Sequence, residues 1–131
     1  HGAICQTIDA VSECDTLGDA HGLPLDDASV DLVVARHVLE HVLCPYLVLS
    51  EMMRVSKASL LVIVPEAKSK FLDWPDHLWY LTRDGWERIF RVLGLRIIRW
   101  GEGDFTEQYA LDGHLWEDRE WRYLLCKGES T

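Results

Sequence analysis

Two long apolar runs dominate the hydrophobic pattern of the chain. Residues 30–35 and 59–64 each contain consecutive aliphatic side chains, many of them β-branched. Runs of this length and composition are typical of strands buried on both faces, as in a parallel sheet with helices on either side. The pattern therefore predicts an α/β protein whose sheet contains both runs.

Two other segments carry apolar residues at helical spacing. The segment 45–55 has an apolar stripe, and Pro45 stands in its first turn, where the missing N–H costs little. The segment 84–93 follows Thr82, a typical N-cap residue, and ends before Gly94. The sequence thus predicts two amphipathic helices.

Shorter apolar stretches predict the remaining strands, at 3–8, 16–19, 95–100 and 121–127. The stretch 101–119 is acidic and is predicted to be irregular. The stretch 66–80 is rich in aromatic residues and is predicted to be a loop or lid.

Composition narrows the class of protein. The 131 residues suit a single domain spanning 1–131. The net charge of -9 disfavours a nucleic-acid partner, which requires clustered Lys and Arg. The sequence has no apolar run near the roughly 20 residues that cross a bilayer, so no membrane partner is expected. The four scattered cysteines favour free thiols in a reducing cytoplasm.

Two acidic residues follow predicted strands. Asp9 ends the first strand, where a carboxylate is well placed to accept hydrogen bonds from ribose hydroxyls, although a turn or helix-cap role is the alternative. Asp19 ends the second strand at a corner between Gly18 and Gly22, where the backbone can approach a ligand closely. An ordinary Asp-containing turn is the alternative there.

The stretch 18–42 resembles the middle of class I methyltransferases that depend on S-adenosyl-L-methionine (SAM). The motifs of that family occur here in its order, as Gly18-Asp19-Ala20, Leu23-Pro24, the polar turn 26–29, Asp31-Leu32-Val33-Val34 and Leu39-Glu40-His41. The resemblance implies a Rossmann-like sheet with strand order 3-2-1-4-5-7-6. The strands at 95–100 and 121–127 would form the antiparallel hairpin that ends this sheet.

The resemblance also implies SAM as the cofactor and assigns its contacts. Asp9 would bind the ribose, Asp19 and the backbone N–H of Ala20 would bind the adenine, and Leu23 would cover the adenine face. Arg36 and His37 would lie beside the methionine portion.

Two histidines are the candidate catalytic residues. His41 would lie near the methyl acceptor, where it either orients the loop or takes part in the chemistry. His77 is next to Asp76 and suits proton removal near neutral pH. The aromatic segment around His77 is either a wall of the acceptor pocket or a flap over the sheet.

His37 and His41 are four residues apart and could share one face of a helix, which raises the question of a metal site. Glu40 stands in the wrong place for an HExxH motif, and no third ligand follows by spacing. No metal is therefore expected.

The first strand of the resembled family and its GxGxG loop have no counterpart in the sequence. That loop holds the carboxypropyl end of SAM on backbone amides. Without the strand, either residues 3–9 pair with 30–35, or two interior strands keep unpaired edges. An N-terminally truncated chain, which we favour, a strand supplied by another chain, and a natural remnant unable to bind SAM would each explain the absence. An exposed edge would also allow a homodimer.

We therefore expect SAM-dependent methyl transfer to a small-molecule or peptide-like acceptor, with the activity of this fragment alone left open. The alternative is a non-catalytic methyltransferase-like domain that binds a partner protein through its exposed edge or aromatic segment. A nucleotide-binding oxidoreductase is disfavoured, because the GxGxxG fingerprint is absent from the sequence.

Overall fold

The structure, a computed structural model, describes residues 7–9, 16–66, 77–108 and 115–128. Within these ranges the chain forms, in order, β1 (Ile8–Asp9), β2 (Thr16–Leu17), β3 (Val30–Arg36), α1 (Pro45–Val55), β4 (Ser56–Pro65), α2 (Arg83–Val92), β5 (Leu95–Gln108) and β6 (Leu115–Lys127). The predicted first strand began at Ala3, and residues 3–6 lie outside the described ranges.

The main sheet has four strands in the order β3-β4-β6-β5. Strands β3 and β4 are parallel, whereas β6 is antiparallel to both β4 and β5. This order corresponds to the 4-5-7-6 half of the sheet implied by the resemblance, including its final antiparallel hairpin. The α/β fold with a Rossmann-like sheet is thereby confirmed.

The other half of the expected sheet is represented by β1 and β2, which pair in parallel with Ile8 opposite Thr16. In the described part of the chain, β1 does not pair with β3, and no strand lies on the outer side of β3. Among the described residues, the pairing of 3–9 with 30–35 is therefore not formed, and the outer edge of β3 has no strand beside it.

Helix α1 has the bounds that the hydrophobic pattern predicts, with Pro45 in its first turn. One face of α1 buries the side chains of Val48, Leu49, Met52 and Val55. The chain enters β4 directly after α1, at Ser56, so helix and strand pack as one α/β unit. The apolar face of α1 thus becomes part of the core.

Helix α2 begins after Thr82, whose hydroxyl accepts a hydrogen bond from the backbone N–H of Gly85 (3.2 Å). This contact confirms the predicted N-cap. Phe90 packs edge-on against Tyr123 with ring centroids 5.1 Å apart, which joins α2 to β6. The chain leaves the helix at Gly94, whose φ of +80° favours glycine.

Two sequence expectations about strands are wrong. The pattern predicted that β3 is buried on both faces, but Leu32 and Val34 are exposed. These side chains lie on an outermost strand, so the described residues leave that face open. The acidic stretch 101–119 was predicted to be irregular, yet residues 101–108 belong to β5 and 115–119 to β6.

Candidate active site

The corner after β2 presents Asp19 to solvent. The backbone N–H of Gly22 donates to the Asp19 carbonyl (2.9 Å) and closes a tight turn. The Asp19 carboxylate accepts a hydrogen bond from the backbone N–H of His21 (2.9 Å) and lies 2.8 Å from His21 Nδ1. The backbone hydrogen bond, and after it the side-chain one, lower the pKa of Asp19. Asp19 is therefore an exposed, ionised acceptor at neutral pH.

His21 connects this corner to the start of α1. The backbone N–H of Cys44, the N-cap residue of α1, donates to His21 Nε2 at 3.0 Å. Because Nε2 accepts this bond, the proton of the neutral ring is on Nδ1, which donates to Asp19. Sequence reasoning missed His21, since Cys44 is 23 residues away and no motif connects the two.

Leu23 lies in a segment that is fixed to α1. Its backbone N–H donates to Glu51 Oε1 (2.9 Å), and Arg54 donates to the Leu23 carbonyl (2.9 Å). The same guanidinium donates to the Leu25 carbonyl and to Asp27, both at 2.8 Å. The segment 23–27 is therefore held by one ion pair on α1.

Glu51 and Arg54 form that ion pair, with Arg54 Nε 2.7 Å from Glu51 Oε2. The hydrogen bond from Arg54 lowers the pKa of Glu51, and the bonds to Glu51 and Asp27 raise the pKa of Arg54. Ala20 packs against the hydrophobic core just before the anchored segment. The predicted adenine-side residues Asp19, Ala20 and Leu23 thus occupy one braced loop.

Arg36 and His37 lie at the carboxyl end of β3. Arg36 has an exposed side chain. His37 adopts a φ of +54°, a left-handed conformation that is uncommon for a residue with a side chain. Its backbone N–H donates to the Ile63 carbonyl (2.8 Å), which ties this corner to β4. Strained backbone of this kind often marks functional sites.

The ring of His37 is buried and contacts β6. Its Nε2 lies 2.9 Å from Glu120 Oε1, and its ring packs edge-on against Phe105. Glu120 is only 2% exposed and accepts a second hydrogen bond from Arg122 Nε at 2.7 Å. Sequence reasoning missed Glu120, because it stands between the stretch 101–119 and the strand predicted at 121–127 and belongs to no motif.

The four-residue spacing suggested that His37 and His41 could share one face of a helix. They do not share one in the structure. Residues 37–44 form a loop of turns and bends, and α1 begins only at Pro45. His37 contacts Glu120, whereas His41 contacts His77 with ring centroids 4.6 Å apart. The pair first considered for a metal is therefore separated.

The structure brings together the two predicted catalytic residues, His41 and His77. The backbone N–H groups of Leu78 and Trp79 donate to the Glu40 carbonyl (2.7 and 3.2 Å). The indole N–H of Trp79 donates to the Val42 carbonyl at 2.7 Å. These three bonds hold the segment after His77 against the 40–42 turn.

Some of the predicted site residues lie outside the residues that the structure describes. Asp9 ends β1 opposite Leu17, but its side chain lies outside the described residues. Asp76 and most of the aromatic segment, residues 67–76, lie outside them as well. Asp19, Ala20 and Leu23 follow β2, whereas Arg36 ends β3 and His37 follows it, and α/β proteins bind ligands at such strand ends.

Residues 6–63 match the protein family described as the methyltransferase domain. A 37.1 kDa protein in transposon TN4556 of Streptomyces fradiae is 40% identical over 62 residues. Those residues are 46% of this chain and 18% of the relative, so the chain spans less than a fifth of that protein.

Solved structures share the fold. A Bacillus halodurans protein assigned as a methyltransferase has a TM-score of 0.69 at 15% identity, covering 87% of this chain and 71% of its own. A SAM-dependent methyltransferase of Methanosarcina mazei has a TM-score of 0.68 at 13% identity, covering 90% and 69%. The shared fold and the family match over residues 6–63 support the resemblance of residues 18–42 to class I SAM-dependent methyltransferases.

A third structural neighbour was solved as a complex of two proteins. It is a Haloferax volcanii methyltransferase in complex with the Trm112 methyltransferase activator, with a TM-score of 0.63 at 17% identity. The match covers 88% of this chain and 62% of that one. In the described part of the present chain, no helix is long and apolar enough to cross a membrane.

Proposed function

We propose that this chain is part of an enzyme that transfers the methyl group of SAM to a small-molecule or peptide-like acceptor. The observation that carries the proposal is the braced corner at Asp19. An exposed carboxylate with a lowered pKa stands in a tight turn that is anchored to α1 through His21. Such a corner is preorganised to accept hydrogen bonds from a flat polar ring.

The residues around this corner fit the adenosine part of SAM. Asp19 would accept from the adenine amino group, the N–H of Ala20 would donate to a ring nitrogen, and Leu23 would cover the ring face. Asp9, at the end of β1, would accept from the ribose hydroxyls. Arg36 and His37, at the end of β3, would lie beside the methionine portion.

When bound, SAM supplies a methyl group activated by its sulfonium. The protein then has to orient the acceptor for in-line displacement, exclude water, and take up a proton where the acceptor carries one. His41 and His77 are the groups we assign to the acceptor side. His41 is partly exposed and reachable by an acceptor, whereas His77 is buried and contacts the His41 ring edge-on.

The surface beside these histidines suits an uncharged acceptor. Leu78 and Trp79 are exposed apolar side chains fixed next to the 40–42 turn. Apolar walls with a few convergent polar groups are typical of small-molecule sites. The free thiols of Cys44 and Cys126 agree with the reducing cytoplasm in which we expect the enzyme to work.

Calorimetric titration with S-adenosylhomocysteine, the demethylated product, tests the proposal. We expect Asp19→Ala to weaken binding by at least about tenfold, equivalent to about 1.4 kcal/mol. Asp26→Ala is the matched control, because Asp26 is an exposed carboxylate in the neighbouring turn and should leave the affinity unchanged. Equal affinity of the Asp19 variant and the unmodified chain would refute the adenine assignment.

A second candidate function rests on the outer edge of β3. This strand has β4 on one side and, in the described residues, no neighbour on the other, and it carries exposed Leu32 and Val34. Unpaired edges accept strands from other chains. The alternative is therefore a non-catalytic domain that pairs with a partner or with a second copy. A concentration-dependent dimer that binds no S-adenosylhomocysteine would favour it.

A further inference from the structure

The tertiary fold assembles a donor cluster that the sequence spacing did not reveal. Glu40, His41 and His77 each offer one ligand atom, and these three atoms lie within 4.8 Å of one another. His77 is 36 residues from His41 and reaches it only because residues 78 and 79 bind the Glu40 and Val42 carbonyls. The cluster joins Glu40 and His77 to His41 and does not include His37.

We propose that Glu40, His41 and His77 form a binding site for one divalent transition-metal ion, with Zn²⁺ as the best match. Two imidazole nitrogens and one carboxylate oxygen are a donor set of catalytic zinc sites, which keep a further position open. Imidazole ligands favour Zn²⁺ over Mg²⁺, which prefers oxygen ligands alone. The inference does not depend on SAM binding.

The geometry of the cluster is close to what an ion requires. Ligands bound to zinc at about 2.0–2.2 Å in a tetrahedron lie about 3.4 Å from each other. Glu40 Oε2 and His41 Nε2 are already 3.9 Å apart. All three ligand atoms lie within 4.8 Å of one another, at most roughly 1.4 Å more than the tetrahedral separation.

The cluster is mostly buried but open on one side. Glu40 is 1% exposed and His77 is 7% exposed, whereas the His41 side chain keeps 35% of its surface accessible. A divalent ion bound beside this buried carboxylate would be attracted more strongly than at the protein surface, because the interior screens charge less than water does. The exposed side of His41 leaves one approach open for an exogenous ligand.

A small cavity lies beside the cluster. Its volume is about 10 Å³, and its lining includes Glu40, Glu66 and His77. A space of this size accommodates about one water molecule, and the two carboxylates can accept its hydrogen bonds. The cavity therefore provides a place for a metal-bound water next to the proposed ion.

The site lies on the acceptor side of the proposed active site. An ion held there would polarise an acceptor oxygen or nitrogen that reached the open position, and so make its proton easier to remove. In that state, His41 and His77 serve as ligands rather than as proton acceptors. While the ion is bound, the ligand role of these two histidines replaces their general-base role.

Metal titration of the chelator-stripped chain tests the site. We use Co²⁺ as a spectroscopic probe, Zn²⁺ in competition with it, and Mg²⁺ as the oxygen-preferring comparison. We expect one Co²⁺ per chain with the visible absorption of a four- or five-coordinate ion, displacement by Zn²⁺, and no displacement by equimolar Mg²⁺. His41→Ala, His77→Ala and Glu40→Gln should each weaken Zn²⁺ binding by at least about tenfold.

Two comparisons make the titration decisive. His21→Ala removes a histidine that contacts Asp19 and Cys44, outside the cluster, and should leave Zn²⁺ affinity unchanged. His41 is partly exposed, so His41→Ala should fold even if the buried variants do not. Unchanged Zn²⁺ affinity in His41→Ala would overturn the proposal. Thiolate-to-Co²⁺ absorption in the near ultraviolet, which indicates ligation by the cysteines, would overturn it as well.

The metal titration and the S-adenosylhomocysteine titration test the two proposals independently. Zn²⁺ binding that depends on His41 supports the metal site even when S-adenosylhomocysteine does not bind. Conversely, the titration of metal-free protein with S-adenosylhomocysteine tests the adenine corner without any contribution from the ion.

Discussion

His37 Nε2 lies 2.9 Å from Glu120 Oε1, and this bond joins the end of β3 to β6 across 83 residues of sequence. His37 holds a left-handed backbone conformation with a φ of +54°. A conformation of this kind persists where surrounding contacts fix it. The bond to Glu120 and the edge-on contact with Phe105 are such contacts.

A double-mutant cycle measures the His37–Glu120 interaction. Asn tolerates left-handed backbone, so His37→Asn removes the ring without adding strain. Glu120→Gln removes the charge but keeps the shape. Urea unfolding of the unmodified chain, both single variants and the double variant should give a coupling free energy of about 1–3 kcal/mol, as for hydrogen bonds to charged groups. Additive effects of the two substitutions would mean that the bond contributes nothing to stability.

Two glycines on β5 provide a matched pair of substitutions. A Cβ at Gly103 would overlap the guanidinium of Arg122, whereas a Cβ at Gly101 meets no atom within 4 Å. Gly103→Ala should therefore push Arg122 away from Glu120, to which its Nε donates at 2.7 Å, at a cost of about 1 kcal/mol. Gly101→Ala should be neutral or slightly stabilising, because alanine loses less entropy in a strand.

Chemical unfolding of the two alanine variants checks this prediction. The Arg122 side chain is flexible, so the crystal structure of Gly103→Ala should show the guanidinium displaced and the strand unmoved. If the two variants have equal stability, the Arg122–Glu120 contact does not stabilise the fold.

The ion pair on α1 predicts a pH-dependent contribution to stability. The hydrogen bond from Arg54 lowers the pKa of Glu51 in the folded chain relative to its unfolded value of about 4.3. A lowered folded pKa means that the contribution is complete above the unfolded pKa and is lost as the pH falls through the folded pKa. Glu51→Gln should thus destabilise the chain at pH 7, by about 1 kcal/mol after solvent screening, and less at pH 3.

Hydrogen exchange localises the effect of Glu51→Gln. The amide of Leu23, which donates to Glu51 Oε1, should exchange faster in the variant at pH 7. The amide of Leu93, which donates to the Ile89 carbonyl at the end of α2, serves as the control and should be unaffected. Equal exchange rates for Leu23 in both proteins would show that the ion pair does not hold the segment 23–27.

The helices and their caps could be predicted from the sequence because the determining residues are local. Helix α1 has the predicted bounds, and Thr82 caps α2 as its position implied. The motif-bearing stretch 18–42 indicated the family for the same reason, since its elements are consecutive. The i,i+3 spacing of Glu51 and Arg54 is local too, although the loop that they hold is not.

The length of the final hairpin could not be predicted from local sequence. The stretch 101–108 contains two glycines and three acids, which have low strand propensity. Its strand is stabilised by cross-strand partners, since Arg119 on β6 donates to Glu102 (3.0 Å) and Asp104 (3.2 Å). That pairing is defined by the register of β5 and β6. The contacts His21–Cys44, His37–Glu120 and His41–His77 likewise depend on tertiary structure.

His21 predicts a titration change at the candidate adenine site. Its backbone N–H and its ring both lower the pKa of Asp19, and the backbone bond is the larger cause. His21→Ala keeps the backbone bond and removes the ring, so the pKa of Asp19 should rise part of the way toward its ordinary value. Carboxyl-carbon NMR titration measures this shift. An unchanged Asp19 pKa would show that the ring does not act on the carboxylate in solution.

The most direct test of the account is an amide NMR titration of the labelled chain with S-adenosylhomocysteine. We predict that the largest shifts fall after β2, at Ala20 and Leu23, and at the end of β3, at Arg36 and His37. Amides of the β5–β6 hairpin, such as Gly101 and Tyr123, should change little. Saturable shifts confined to the residues after β2 and at the end of β3 would support the cofactor site. Shifts centred on the hairpin, or a folded chain without shifts at millimolar ligand, would contradict it.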